Sequence, residues 1–76
     1  MTTGKITQII GTIVDVKFDE GKIPLMYSAL EVKKSETEKV VLEVARHLGY
    51  GQVRAIALAS TDGLKRDMDV LDTILS

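Results

Sequence analysis

The chain has no cysteine, no tryptophan, one proline and one histidine. Without thiols it has neither a disulfide framework nor a cysteine-rich metal site, and cysteine usage says nothing of redox compartment. Two tyrosines and a phenylalanine are its only aromatic residues. Charge of one sign is missing as well. Ten basic residues stand against eleven acidic ones, a formal net charge of -1. This lacks the strongly positive surface of a phosphate-backbone binder, so no nucleic-acid partner is expected. No apolar run approaches the roughly 20 residues of a membrane-spanning helix. MTTGKITQII lacks the basic start and continuous apolar stretch of a signal peptide. The expectation is a soluble chain without direct membrane insertion, and a start at Met1 suits a protein not cleaved there.

What remains is aliphatic. Hydrophobic residues make up 45% of the 76 and aromatic residues 4%, the composition of a small ordered domain filled with valine, isoleucine and leucine rather than of a disordered segment. A chain of this length buries only about 60% of its unfolded surface. One domain over residues 1–76 is expected.

Along the chain, KITQIIGTIVDVKF has strand character. Ile6, Ile10, Val14, Val16 and Phe18 keep one phase, while Thr7, Asp15 and Lys17 keep the other, the period of two of a half-buried strand. Ile9 and Ile13 are apolar in the opposite phase, and the segment is far longer than the usual strand of about 5–6 residues. A bend at Gly11 in one long strand accounts for both features. DEGKIP reads as a loop and ALEVKK as a short strand. TEKVVLEVARHLG carries helical spacing at Val41, Val44 and Leu48, but Val40, Leu42 and Val44 also alternate with Lys39 and Glu43; its β-branched first half favours a strand. GQVRAIALAS gives another strand, with Val53, Ala55, Ala57 and Ala59 in one phase and Ile56 and Leu58 in the other. Asp62-Gly63 marks a turn, followed by alternation through Leu64, Met68 and Val70. The fold class is all-β, a small closed or nearly closed barrel.

The chemistry of a catalytic site is not visible. The phosphate-cradling pattern GxxxxGK[ST] does not occur. His47 has no partner nucleophile in a recognisable motif and receives no role. The carboxylates of DGLKRDMD lack the order of a calcium loop and read as a charged turn. Arg54 reads as a surface-facing strand residue rather than a recognition arginine. Catalytic, cofactor-binding and metal residues are therefore all expected to be absent.

In their order, these segments resemble the amino-terminal domain of the β subunit of the F-type ATP synthase. The resemblance runs through the IIG-x-[IV]-VDV core at Ile9 to Val16, YSALEV at Tyr27 to Val32, VLEVARHLG at Val41 to Gly49, VRAIAL at Val53 to Leu58 and DGLKR at Asp62 to Arg66. It covers nearly the whole chain. It implies a six-stranded barrel, with VVLEV as a strand and Gly11 at the bend of a long first strand. Two departures stand out. Asp67 occupies a position where the family commonly has glycine, and aspartate tolerates the left-handed conformation less well than glycine does. The ending LDTILS lacks the stretch that usually leads into the nucleotide-binding domain, which puts the placement of the last strand in doubt.

The resemblance implies a structural part. In that family the β subunit makes ATP from ADP and phosphate as a shaft driven by proton flow turns inside a ring of alternating α and β subunits. Its phosphate loop, general base and magnesium ligands lie in the nucleotide-binding domain, which with the C-terminal domain is absent from this chain. Mg-ATP and ADP thus belong to the full-length subunit and no cofactor to this one. The barrel would be one segment of a collar holding the ring together, its partners the barrel domains of α subunits. The setting would be the peripheral sector on the cytoplasmic face of a bacterial inner membrane, with a mitochondrial matrix or chloroplast stroma origin also compatible. The barrel of a related rotary or flagellar export ATPase is the alternative, and an oligonucleotide-binding barrel a more distant one, for which Phe18, Tyr27 and Tyr50 are few stacking residues. Ile9, Ile13, Ile56 and Leu58, out of phase with the core, either contact the α subunit or are buried by bends. Taken alone, the domain is expected to be monomeric.

Overall fold

The computed structural model describes residues 2–73. They form six strands: β1 (Thr2–Ile10), β2 (Ile13–Lys17), β3 (Ala29–Lys33), β4 (Lys39–Gly49), β5 (Gln52–Ala57) and β6 (Asp69–Asp72). All pairings are antiparallel, in the order β1-β2-β5-β4-β3-β6, and β6 returns to β1 so that the barrel closes. Closure leaves no free sheet edge, which suits a small sheet that must not pair with strangers. Valines and leucines of alternate positions fill it: Val14, Val16, Val32, Leu42, Val44 and Val53 are wholly buried. Phe18 and Leu64, on the two long loops, complete this core.

The ambiguous VVLEV segment lies within β4, with Val40, Leu42 and Val44 inward and Lys39 and Glu43 exposed. Burial here follows the period of two, and the β-branched residues fit a pleated surface better than a helix.

The first segment departs from expectation. It is not one bent strand but a hairpin, β1 and β2 joined by the two-residue loop Gly11-Thr12, with Ile10 opposite Ile13. Gly11 has φ +60 and Thr12 does not share its positive φ, the pattern of a type II′ turn, which wants glycine first. A Cβ at Gly11 would meet nothing within 4 Å. Its backbone angle, not crowding, is what calls for glycine.

A bulge changes the phase. Ile6 faces Val16 but Gln8 faces Asp15, so Thr7 is an extra residue on β1. One added residue exchanges the two faces of everything after it. Ile6 is inward and wholly buried, whereas Ile10 of the same nominal phase is outward and 63% exposed. Ile9, opposite the buried Val14, packs against the core.

One further segment differs. The strand after Asp62-Gly63 begins only at Asp69, because Met68 N–H bonds the Lys65 carbonyl in an intervening turn. Asp67 sits in that turn at φ +70, so this aspartate does hold the left-handed conformation. Of the LDTILS ending, β6 takes Leu71 and Asp72, while Ile74, Leu75 and Ser76 lie outside the described residues.

Candidate interaction surface

The outer face over β2 and β5 is built by register. Ile13 lies opposite Ile56, Asp15 opposite Arg54 and Lys17 opposite Gln52. The alternate residues Val14, Val16, Val53 and Ala55 point inward, so the first set must point out. Ile10 joins Ile13 from β1, and Leu58 follows β5, its N–H bonded to the Val41 carbonyl of β4. Ile10 and Leu58 are about as exposed as each other, at 63% and 64%, and Ile56 is 39% exposed. The result is an apolar strip across neighbouring strands, separate from the exposed Leu25, Met26 and Tyr27 of the loop before β3.

Of the four residues singled out in the sequence, Ile13, Ile56 and Leu58 fall on this strip. Ile9 does not, since the Thr7 bulge turns it toward the core; Ile10 takes its place. The only sequence sign of the exchange is that Ile9 and Ile10 are both apolar, which fits either face.

Beside the strip, Arg54 donates from Nε and Nη2 to the two carboxylate oxygens of Asp15, at 2.9 and 3.0 Å. The Asp15 side chain is 8% exposed and that of Arg54 40%. This hydrogen bond first, and then the charge of Asp15, raise the Arg54 pKa above its ordinary value. A two-pronged guanidinium–carboxylate pair is geometrically defined in a way a lysine pair is not. Arg54 thus faces outward, as its strand position implied, but anchored. The sequence places Asp15 on the polar phase of its strand but does not reveal its partner, which is 39 residues away.

The remaining candidates are structural. The His47 Nε2–H donates to the Pro24 carbonyl at 2.7 Å, tying the loop after β2 to β4. Among the described residues no group of three or more His, Cys, Asp or Glu is placed to hold a metal ion, and the carboxylates of Asp62 to Asp69 are spread along a turn and the start of β6. Phe18 is buried in the core, leaving Tyr27 and Tyr50 as the exposed aromatics. On the other side of the barrel, under the β3–β4 hairpin, a cleft of about 550 Å³ is floored by Leu71 and Thr3 and walled by acidic residues and two lysines.

A closed six-stranded antiparallel barrel with this order of segments has a known counterpart. Residues 6–73 match the ATP synthase alpha/beta family, beta-barrel domain. The chain belongs to that family. The match spans every strand of the ATP synthase alpha/beta barrel described above, from Ile6 on β1 to the residue after β6. Within it, Asp15 and Arg54 secure the outer face of the sheet and the Ile13–Ile56 pair extends that face toward the β1–β2 turn.

Proposed function

We propose that this chain is the N-terminal barrel domain of the catalytic β subunit of an F-type ATP synthase, and that it serves as one segment of a collar. The observation that carries the role is the outward apolar strip of Ile10, Ile13, Ile56 and Leu58 on a closed barrel. An apolar strip of this kind is a contact surface rather than a solvated one. The IIG-x-IVDV and ALEV segments favour the β subunit of the synthase over a flagellar or export ATPase. The chain itself performs no chemistry in this reading. It keeps neighbouring catalytic domains in register while they open and close, with nucleotide and magnesium held elsewhere in the full-length subunit, on the peripheral sector of the membrane complex.

Contacts within an alternating ring are heterologous, so each barrel meets a surface unlike its own. Sedimentation of the chain alone, and then with full-length α subunit, tests this. A monomer that enters a complex with α is expected. A stable homo-oligomer of the chain that ignores α contradicts the collar.

A further inference from the structure

The barrel is not fastened equally all round. β6 lies opposite β1 along its whole length, from Asp69 against Lys5 to Asp72 against Thr2, but opposite β3 only where Leu71 meets Glu31 and Asp72 meets Leu30. The β1 side is reinforced beyond the strand itself. Ile6 N–H donates to the Met68 carbonyl, Asp67 N–H donates to the Ile6 carbonyl, and Lys5 pairs with Asp69. On the other flank β3 lies opposite β4 along its whole length, from Ala29 against Glu43 to Lys33 against Lys39. Inside, Leu30 and Val32 face the buried Leu42 and Val40 of β4; outside, Glu31 turns to Lys39 of β4 at 3.4 Å. Each strand of the β3–β6 seam is thus held more firmly by its other neighbour.

Nothing packs over the outer side of that seam. The cleft of about 550 Å³ lies there, with Thr3, Glu31, Asp69 and Leu71 beneath it and the β3–β4 loop as its far wall. At the end of the seam the Thr73 hydroxyl donates to the Ala29 carbonyl at 2.9 Å, in an exposed position. Proteins open locally where buried apolar contacts are few and backbone hydrogen bonds lie open to solvent.

We propose that the β3–β6 seam is an opening point built into the barrel: β3 parts from β6 while β6 stays on β1, and the Thr73 hydroxyl is the latch. Opening converts the barrel into a curved sheet in the order β6-β1-β2-β5-β4-β3. The β2–β5 junction, with its Asp15–Arg54 pair and the apolar strip, sits in the middle of that sheet and is not broken. A pull on β6 is therefore taken up at the seam, and the strip keeps its shape. The proposal does not depend on what the strip binds.

Native-state amide hydrogen exchange of the chain, followed residue by residue by NMR at low urea concentrations, tests this. Amides that bridge β3 and β6 should exchange about tenfold or more faster than those that bridge β2 and β5, with little dependence on urea, while amides that bridge β1 and β6 stay protected. Thr73→Val, which keeps the shape and removes the latch, should speed β3–β6 exchange about threefold, the same factor by which it lowers overall stability. Glu31 and Leu71 lie opposite each other, at a spacing a disulfide spans. In a variant with Glu31→Cys and Leu71→Cys, oxidation should slow the β3–β6 amides to the pace of the β2–β5 amides, and reduction should restore them. Joint loss of β1–β6 and β3–β6 protection is fraying of β6 as a whole and overturns the proposal. So does exchange of the β3–β6 amides only through the global unfolding that releases β2–β5. Exchange at the seam unchanged by Thr73→Val overturns the latch.

Discussion

Arg54 on β5 holds both carboxylate oxygens of Asp15 on β2, and the acid is the more deeply covered of the two. Removing the arginine strands a nearly buried carboxylate, whereas removing the acid leaves a half-exposed guanidinium that can turn to water. Arg54→Ala should therefore destabilise the barrel more than Asp15→Asn. Urea unfolding of the two variants and the double variant measures the order. Equal losses, or a larger loss for Asp15→Asn, would remove the asymmetry.

Two glycines separate strain from crowding. Gly11 has φ +60 with open space where a Cβ would go, while Gly51 has φ +82 and its Cβ would lie 2.3 Å from the Phe18 carbonyl oxygen. Gly11→Ala should cost about 1–3 kcal/mol, because the first position of a type II′ turn is a backbone conformation that essentially only glycine adopts. Gly51→Ala adds backbone overlap to that strain and should cost roughly 3 kcal/mol or more. Denaturant midpoints at unchanged slope give both values.

Asp67 invites the opposite change. It is exposed at φ +70, and glycine takes that angle at no steric cost. Asp67→Gly should stabilise by about 0.5–1 kcal/mol, the left-handed penalty less the extra chain entropy of glycine. Tyr50 is similar: with Gly51 it forms a two-residue turn in which both φ values are positive. Asparagine is preferred there, so Tyr50→Asn should raise the melting temperature as well.

At high pH the ion pair of Lys5 and Asp69 reports on the β1–β6 seam. The hydrogen bond to Asp69, then its charge, raises the Lys5 pKa above 10.5. A group raised in the folded state stabilises below its unfolded pKa and loses that contribution as pH rises through the folded one. The melting advantage of the parent over Lys5→Gln should hold up to about pH 10 and fade above it. Both side chains are exposed, so the advantage should also shrink with added salt.

How much of this was legible follows from where the signals lie. Val53, Ala55 and Ala57 alternate against Arg54 and Ile56, and that pattern alone places β5 and its two faces. The hairpin at Gly11 hid because both of its strands are β-branched and the loop has only two residues, so the apolar run reads straight through the turn. The Thr7 bulge leaves no mark either, since threonine suits both a ladder and a bulge. The Asp15–Arg54 pair needs the β2–β5 register, which a chain read from end to end does not contain. The outward strip was visible as apolar residues out of phase. Its membership was decided by the bulge.

Methyl NMR of the isoleucines and leucines, recorded as full-length α subunit is added to the chain, tests the collar surface most directly. Exposed Ile10, Ile56 and Leu58, together with half-buried Ile13, should show the large shifts or broadening of an interface, while Ile6 and Ile9 in and against the core stay nearly unmoved. Perturbation confined to residues of the β3–β6 side, such as Leu71, with Ile13, Ile56 and Leu58 unchanged at saturation, would contradict the account.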